Sequence, residues 1–224
     1  MKTKSLSVLL SLMLIVTTLS AQTDTEALSL NISKAEAANQ QKLKEYVWKR
    51  RSDVFVESQL KLTTITEFSF TSEGKLEMKI VDAETTVKQK PGLRGKAQAS
   101  AAEDKLEYIE KALSLALDYT FMSKGEMLDF FSKATVTEKN GQLEAVANDV
   151  HIPGDRLLVR IDPKTYLFTY KEFTSLLGKD KVDGKLNYEK FSNGTNHIST
   201  TVLNLPAQKM NIDARNQDYT IRIK

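Results

Sequence analysis

Residues Ala102–Phe121 read AEDKLEYIEKALSLALDYTF. Leu106, Ile109, Leu113, Ala116 and Leu117 recur at helical spacing as one apolar stripe. Glu103, Asp104, Glu107, Glu110 and Lys111 fill the other early positions. The pattern predicts an amphipathic helix with one face to bury. Ser123 with Glu126 three residues later is a capping-box signature. It starts a second helix whose apolar side is Met127, Leu128, Phe130 and Phe131. Almost everything around this pair has the period of a strand.

Immediately upstream, Lys88–Ala101 (KQKPGLRGKAQASA) contains Pro91, Gly92, Gly95, four basic residues and no acid, and predicts a loop. Before it, Leu76, Met78 and Ile80 alternate. Leu60, Leu62, Thr64, Thr66, Phe68 and Phe70 share one face, and Tyr46, Trp48 and Arg50 another, with Val47 and Lys49 opposite. Val54 and Val56 continue the first strand, and Ser72-Glu73-Gly74 makes a turn. This is a three-strand meander from Tyr46 to Val81. Ser33 and Glu36 form a further capping-box pattern, predicting a short helix over Ala35–Lys44.

Downstream, Asn140-Gly141 signals a tight turn. Strands are expected at Leu143–Ile152, Arg156–Ile161, Leu167–Leu176, Lys185–Phe191, Ile198–Leu205 and Met210–Ala214, with Tyr219–Ile223 closing. Turns are expected at Pro153-Gly154-Asp155, Asp162-Pro163-Lys164, Asp183-Gly184, Asn193-Gly194 and Leu205-Pro206. Short connections favour antiparallel neighbours. The expected fold is α+β: a large curved antiparallel sheet, an unclosed β-barrel of about eight to ten strands, packed on a central helix pair. Such a sheet often encloses an apolar cavity.

The chain opens MKTKSLSVLLSLMLIVTTLSAQ. Lys2 and Lys4, the apolar run Leu6–Val16 and a small polar end at Ala21 make residues 1–21 a secretory signal peptide. Its apolar core is shorter than the roughly 20 residues a membrane span needs. Residues 22–224 then form a single α+β domain, periplasmic or secreted. Loss of Lys2 and Lys4 lowers the formal net charge from +3 to +1. A nearly neutral domain makes no case for a nucleic-acid partner. The chain has no cysteine, which excludes disulfides, thiolate metal sites, a cysteine nucleophile and lipidation at a cysteine.

No Gly-x-Ser-x-Gly, phosphate loop or His-Glu-x-x-His is present, so no catalytic residue is assigned and an enzyme is not expected. No cofactor is implied. His151 beside Asp149 and Asp155 has the residue types of a divalent-metal site, but Asp and Gly are equally favoured in a solvated turn. The turn is the preferred reading and no metal is assigned. Two basic clusters stand out: Lys49, Arg50 and Arg51 beside the single tryptophan, Trp48; and Lys88, Lys90, Arg94 and Lys96. Either has the chemistry to contact an anionic headgroup or surface. Solvated cations around a buried Trp, and a charged loop, are the plainer readings.

Tyr46, Trp48, Lys49 and Arg51, the loop Gly92–Lys96, Pro153–Asp155 and Ile161–Thr165 together resemble a family of uncharacterised secreted bacterial proteins. More distantly, Arg156–Ala214, with its Asp162–Thr165 turn and Leu205-Pro206, is similar to periplasmic lipoprotein-carrier and lipoprotein-sorting proteins of the LolA and LolB type. That resemblance implies an unclosed β-barrel covered by helices, with an apolar cavity for acyl chains.

Two functions follow. In the first, the domain is a binding or carrier protein for a hydrophobic ligand such as a lipid or acyl chain. Trp48, Leu106, Ile109, Leu113, Leu117, Phe121, Phe130 and Phe131 are then the candidate lining. In the second, it is a non-enzymatic envelope interaction or structural module. Lys49, Arg51, Lys90, Arg94 and Lys96 would then contact an envelope protein or an anionic membrane surface.

Overall fold

The structure, a computed structural model, describes residues 25–86 and 93–222. Residues 1–21, the expected signal peptide, lie outside it, as do Lys88, Lys90 and Ile223. Helix α1 covers residues 25–43. A meander follows: β1 (Tyr46–Val56), β2 (Gln59–Phe70) and β3 (Leu76–Thr85). Helices α2 (Leu93–Thr120) and α3 (Lys124–Lys133) come next. The chain then runs through β4 (Thr135–Lys139), β5 (Gln142–Asn148), β6 (Arg156–Ile161), β7 (Phe168–Leu177), β8 (Asp180–Lys190), β9 (Asn196–Leu205) and β10 (Met210–Ile221).

All ten strands form one antiparallel sheet in the order β3-β2-β1-β10-β9-β8-β7-β6-β5-β4. The first and last strands pair in its middle, while β3 and β4 remain as free edges, so the curved sheet is unclosed. The fold is the expected α+β arrangement.

Strand phases follow the alternation in the sequence. Tyr46, Trp48, Arg50, Ser52 and Val54 are buried along one face of β1. Asn140-Gly141 makes the two-residue β4–β5 turn, with positive φ at both residues as that hairpin requires. The Ser123–Glu126 capping box is formed: Ser123 N donates to Glu126 Oε2 at 2.6 Å and Glu126 N to Ser123 Oγ at 3.2 Å.

Helix α2 and helix α3 seat on the inner face of β5, β7 and β8. Ile109, Ala112, Ala116 and Tyr119 are the buried α2 positions, at spacings of three and four. The expected stripe is therefore rotated: Leu106 is 45 % exposed, and two alanines take the contact. Their small side chains bring the helix close enough for Tyr119 to stack on Phe173 of β7, ring centres 4.1 Å apart and 5° from parallel. Gly184, paired with Phe173 across β7–β8, lies beneath that ring, where a Cβ would stand 2.2 Å from it. Asp183-Gly184 is accordingly strand, and the β7–β8 turn falls at Gly178, which has φ +66°.

Other expectations are also corrected. Helix α1 begins well before Ala35, so Ser33 and Glu36 sit within it rather than at its start. The expected loop 93–101 is helix, because Ala97, Gln98, Ala99 and Ala101 are strong helix formers once Pro91-Gly92 is passed. Strand β4 was not expected, and β5 stops at Asn148, because Asp149 turns the chain at φ +53°. Strand β10 runs unbroken past Ala214 through a bulge at Asp218. Leu60 leaves the inner phase of β2 through a register shift and pairs with Phe55. Met78 and Ile80, paired with Phe68 and Thr66, stay more than half exposed because β3 is an edge strand.

Candidate functional site

The inner face of the sheet has a second half, under β1 and β10, that the helices do not fill. Here α1, the α2–α3 junction and the sheet surround a cleft of about 400 Å³. One wall is aromatic. Trp48 stacks between Phe68 (5.5 Å) and Tyr219 (5.7 Å), and Phe121 meets Phe70 edge-on at 6.0 Å. The β10 bulge, where the register steps from Val47/Thr220 to Lys49/Gln217, accompanies the inward placement of Tyr219. His197 stacks on Phe191 at 4.0 Å and touches Tyr219, and burial lowers its pKa.

The other walls carry buried charge. Arg50 of β1 is 4 % exposed. Its Nε donates to Oδ1 of Asn216, its cross-strand neighbour, at 2.8 Å, and its guanidinium lies 4.6 Å from the Phe68 ring centre. Burial pulls its pKa down to about 10. Lys171 of β7 points inward between Val159 and Leu186. Its Nζ donates to the carbonyls of Tyr119 (2.9 Å) and Thr120 (3.1 Å), capping the negative end of α2. It also lies 4.1 Å from the Phe168 ring centre. Burial lowers the Lys171 pKa, against the attraction of Glu36.

Glu36 comes from α1. Its carboxylate accepts the Phe168 N–H at 2.9 Å, which the β6–β7 register shift places at the start of β7. Burial raises its pKa, while that bond and Lys171 oppose the rise. Asn39 and Asn196 complete the seat of α1 with two reciprocal bonds: Asn196 N to Asn39 Oδ1 (2.7 Å) and Asn39 Nδ2 to the Asn196 carbonyl (2.9 Å). The helix over this half is thus held by polar ties at its inner face. Such ties need defined spacing, and the cleft lies among them.

Of the candidate lining residues, Trp48 and Phe121 border the cleft. Ile109, Phe130 and Phe131 lie in the packed core under α2 and α3, with Leu113 against it. Leu117 is half-buried and Leu106 exposed. Of the basic residues, Lys49 faces Asp218 at 3.9 Å and Arg51 pairs with Asp53 at 2.9 Å, so each has a carboxylate beside it. Arg94 and Lys96 fall in the first turns of α2, and their side chains, like Lys90, lie outside the described residues.

The 149–155 loop is a structural tie. Asp155 is 1 % exposed; its carboxylate accepts the Tyr119 hydroxyl and the N–H groups of Val150, His151 and Ile152. Burial raises its pKa, but these bonds outweigh it and hold the carboxyl below the usual range. Among the described residues no His, Asp and Glu cluster is arranged to hold a metal ion, and no helix is long and apolar enough to cross a membrane.

Glu36, Lys171, Tyr188 and Tyr219 carry no site role in the sequence reading, and Arg50 appears there only within the basic cluster beside Trp48. A signal existed for two of them: Arg50 is in phase with Tyr46 and Trp48, and Lys171 with Phe173 and Ser175. A cation on the buried phase of a strand is a mark of a polar interior.

No family model matches the chain, and no curated protein matches it in sequence. Among solved structures it is similar to a putative outer membrane lipoprotein-sorting protein domain from Vibrio parahaemolyticus, at 10 % identity and TM-score 0.42, covering 86 % of this chain and 92 % of that one. It is similar to a LolA superfamily protein from Nitrosomonas europaea, at 10 % identity and TM-score 0.41, covering 84 % and 94 %. A DUF1329 family protein from Desulfovibrio piger matches at 9 % identity and TM-score 0.40, covering 90 % and 93 %. At these scores the likeness carries no functional inference.

Proposed function

We propose that the protein is a non-enzymatic carrier or binding protein for a hydrophobic ligand such as a lipid or acyl chain, acting in the periplasm or outside the cell. The observation that carries this reading is the cleft itself. Its volume, about 400 Å³, is within the range of small-molecule sites. Its aromatic wall, Trp48 backed by Phe68, is joined at the cleft border by the half-buried ring of Phe121. Trp48 and Phe121 are the proposed ligand contacts. The leader pattern in residues 1–21 supports the location.

Native mass spectrometry on protein purified without detergent tests the reading. A non-covalent adduct of lipid size, released by solvent extraction, is expected. Trp48→Ala should reduce its occupancy, while Phe55→Ala, on the opposite face of β1, should not. A protein that carries no adduct and takes up no lipid on incubation would contradict the proposal.

A further inference from the structure

The charges around the cleft do not balance. Glu36 faces Lys171, and the two offset one another. His197 has its pKa lowered by burial. That leaves Arg50, whose only side-chain hydrogen bond among the described residues runs from Nε to the neutral Asn216. Among the described residues no carboxylate pairs with it; burial lowers its pKa, and Tyr219 acts against that. Lys124, at the rim, adds another positive charge. A buried, uncompensated cation is expensive, and proteins usually pair one with an anion.

Hydrogen-bonding capacity is in surplus too. Trp48 Nε1 and the Tyr188 hydroxyl, both on residues that border the cleft, are buried without a partner among the described residues. A guanidinium, an indole N–H and a phenol are all donors, and the guanidinium matches a carboxylate or phosphate in a bidentate fork. The Phe68 ring and Asn216 fix its plane from two sides.

We infer that the cleft selects an amphiphile with a single anionic head, a carboxylate or a phosphate, seated on the Arg50 guanidinium with its hydrocarbon chain against Trp48 and Phe121. This rests on the carrier reading and adds the ligand's chemical class to it. The Glu36–Lys171 pair stays outside the exchange, since each is already compensated. Arg50 thus completes its own electrostatics only when the ligand is bound.

The single tryptophan of the chain lines the cleft, so its fluorescence reports occupancy. Titrating the protein with dodecanoate, dodecyl phosphate and dodecanol compares two anionic heads with a neutral one on the same chain. The two anions should bind at least tenfold more tightly than dodecanol. The better of the two identifies the head as fatty acid-like or phospholipid-like. Arg50→Gln should erase the difference and leave dodecanol unchanged, and Arg50→Lys should retain part of it. If Arg50→Gln does not fold, the wild-type ratio of anion to alcohol decides by itself. Equal binding of all three ligands overturns the anionic head and leaves the carrier reading standing. No binding of any of the three overturns both.

Discussion

The same face of the same sheet is treated in two ways. Under α2 and α3 its inward residues are Ala145, Ala147, Leu157, Val159 and Phe173, the facing helix positions include Ala112 and Ala116, and the space is filled. Under α1 the inward residues are Trp48, Arg50, Lys171, Tyr188 and Tyr219, the helix is held by Glu36 and Asn39, and a cleft remains. Small residues and apolar alternation let a helix settle on a sheet. Large aromatics and buried charges fix it through polar bonds instead, and leave room. A carrier needs both: one half to make the fold stable and one half to be incompletely packed.

Truncating a ring in each half should break the comparison most visibly. Phe173→Ala, in the filled half, should cost about 3–5 kcal/mol in urea unfolding. Phe121→Ala, at the cleft, should cost about 1 kcal/mol because its ring is only half-buried and already borders empty space. Similar losses at both sites would mean the two halves are packed alike.

Lys171→Met should come next, at about 3 kcal/mol, since it leaves the half-buried Glu36 without its counter-charge and the Tyr119 and Thr120 carbonyls without their donor. Adding Glu36→Gln should restore part of the loss. If the double variant is no better than the single one, the two groups are not a pair.

Gly184→Ala should cost about 2 kcal/mol by pushing on the Phe173 ring. Combined with Phe173→Leu it should cost less than the sum of the two, because the clash is with the ring. Additive costs would place the strain elsewhere.

Asp162→Asn should have the smallest effect, visible chiefly as a change with pH. Burial acts to raise the Asp162 pKa. The Lys164 N–H, Lys190 at 3.0 Å and Thr165 outweigh it and hold the carboxyl down at about 2, against 3.8 ordinarily. Its contribution is therefore complete above 3.8 and disappears as pH falls through about 2. The variant should unfold at a lower temperature than wild type at pH 7 and at the same temperature near pH 2. A constant gap across that range would assign the effect to the turn's shape rather than to the charge.

The sheet was legible because strand alternation is local: β1 can be read residue by residue. Ile109 and Ala116 of the α2 stripe were legible, but the rotation was not, because Leu106 outranks Ala112 in hydrophobicity while close packing on β7 and β8 favoured the smaller residue. Glu36 was hidden by a coincidence, a Ser–x–x–Glu pattern that signals a helix start and here lies inside α1. Arg50 and Lys171 were visible as cations in a buried phase, but their neutral or carbonyl partners, Asn216, Tyr119 and Thr120, are 51 to 166 residues away in the chain. The cleft is a product of those distant meetings.

The division of the inner face can be tested at Trp48 itself. A set of bromododecanols, each with its bromine at a different chain position, is titrated while Trp48 emission is recorded. The account predicts saturable quenching that varies with bromine position, at one ligand per protein, beyond any change in emission that the bromine-free parent causes. Ligand retained in equilibrium dialysis without quenching at any position would put the hydrophobic site somewhere other than the half of the sheet under α1.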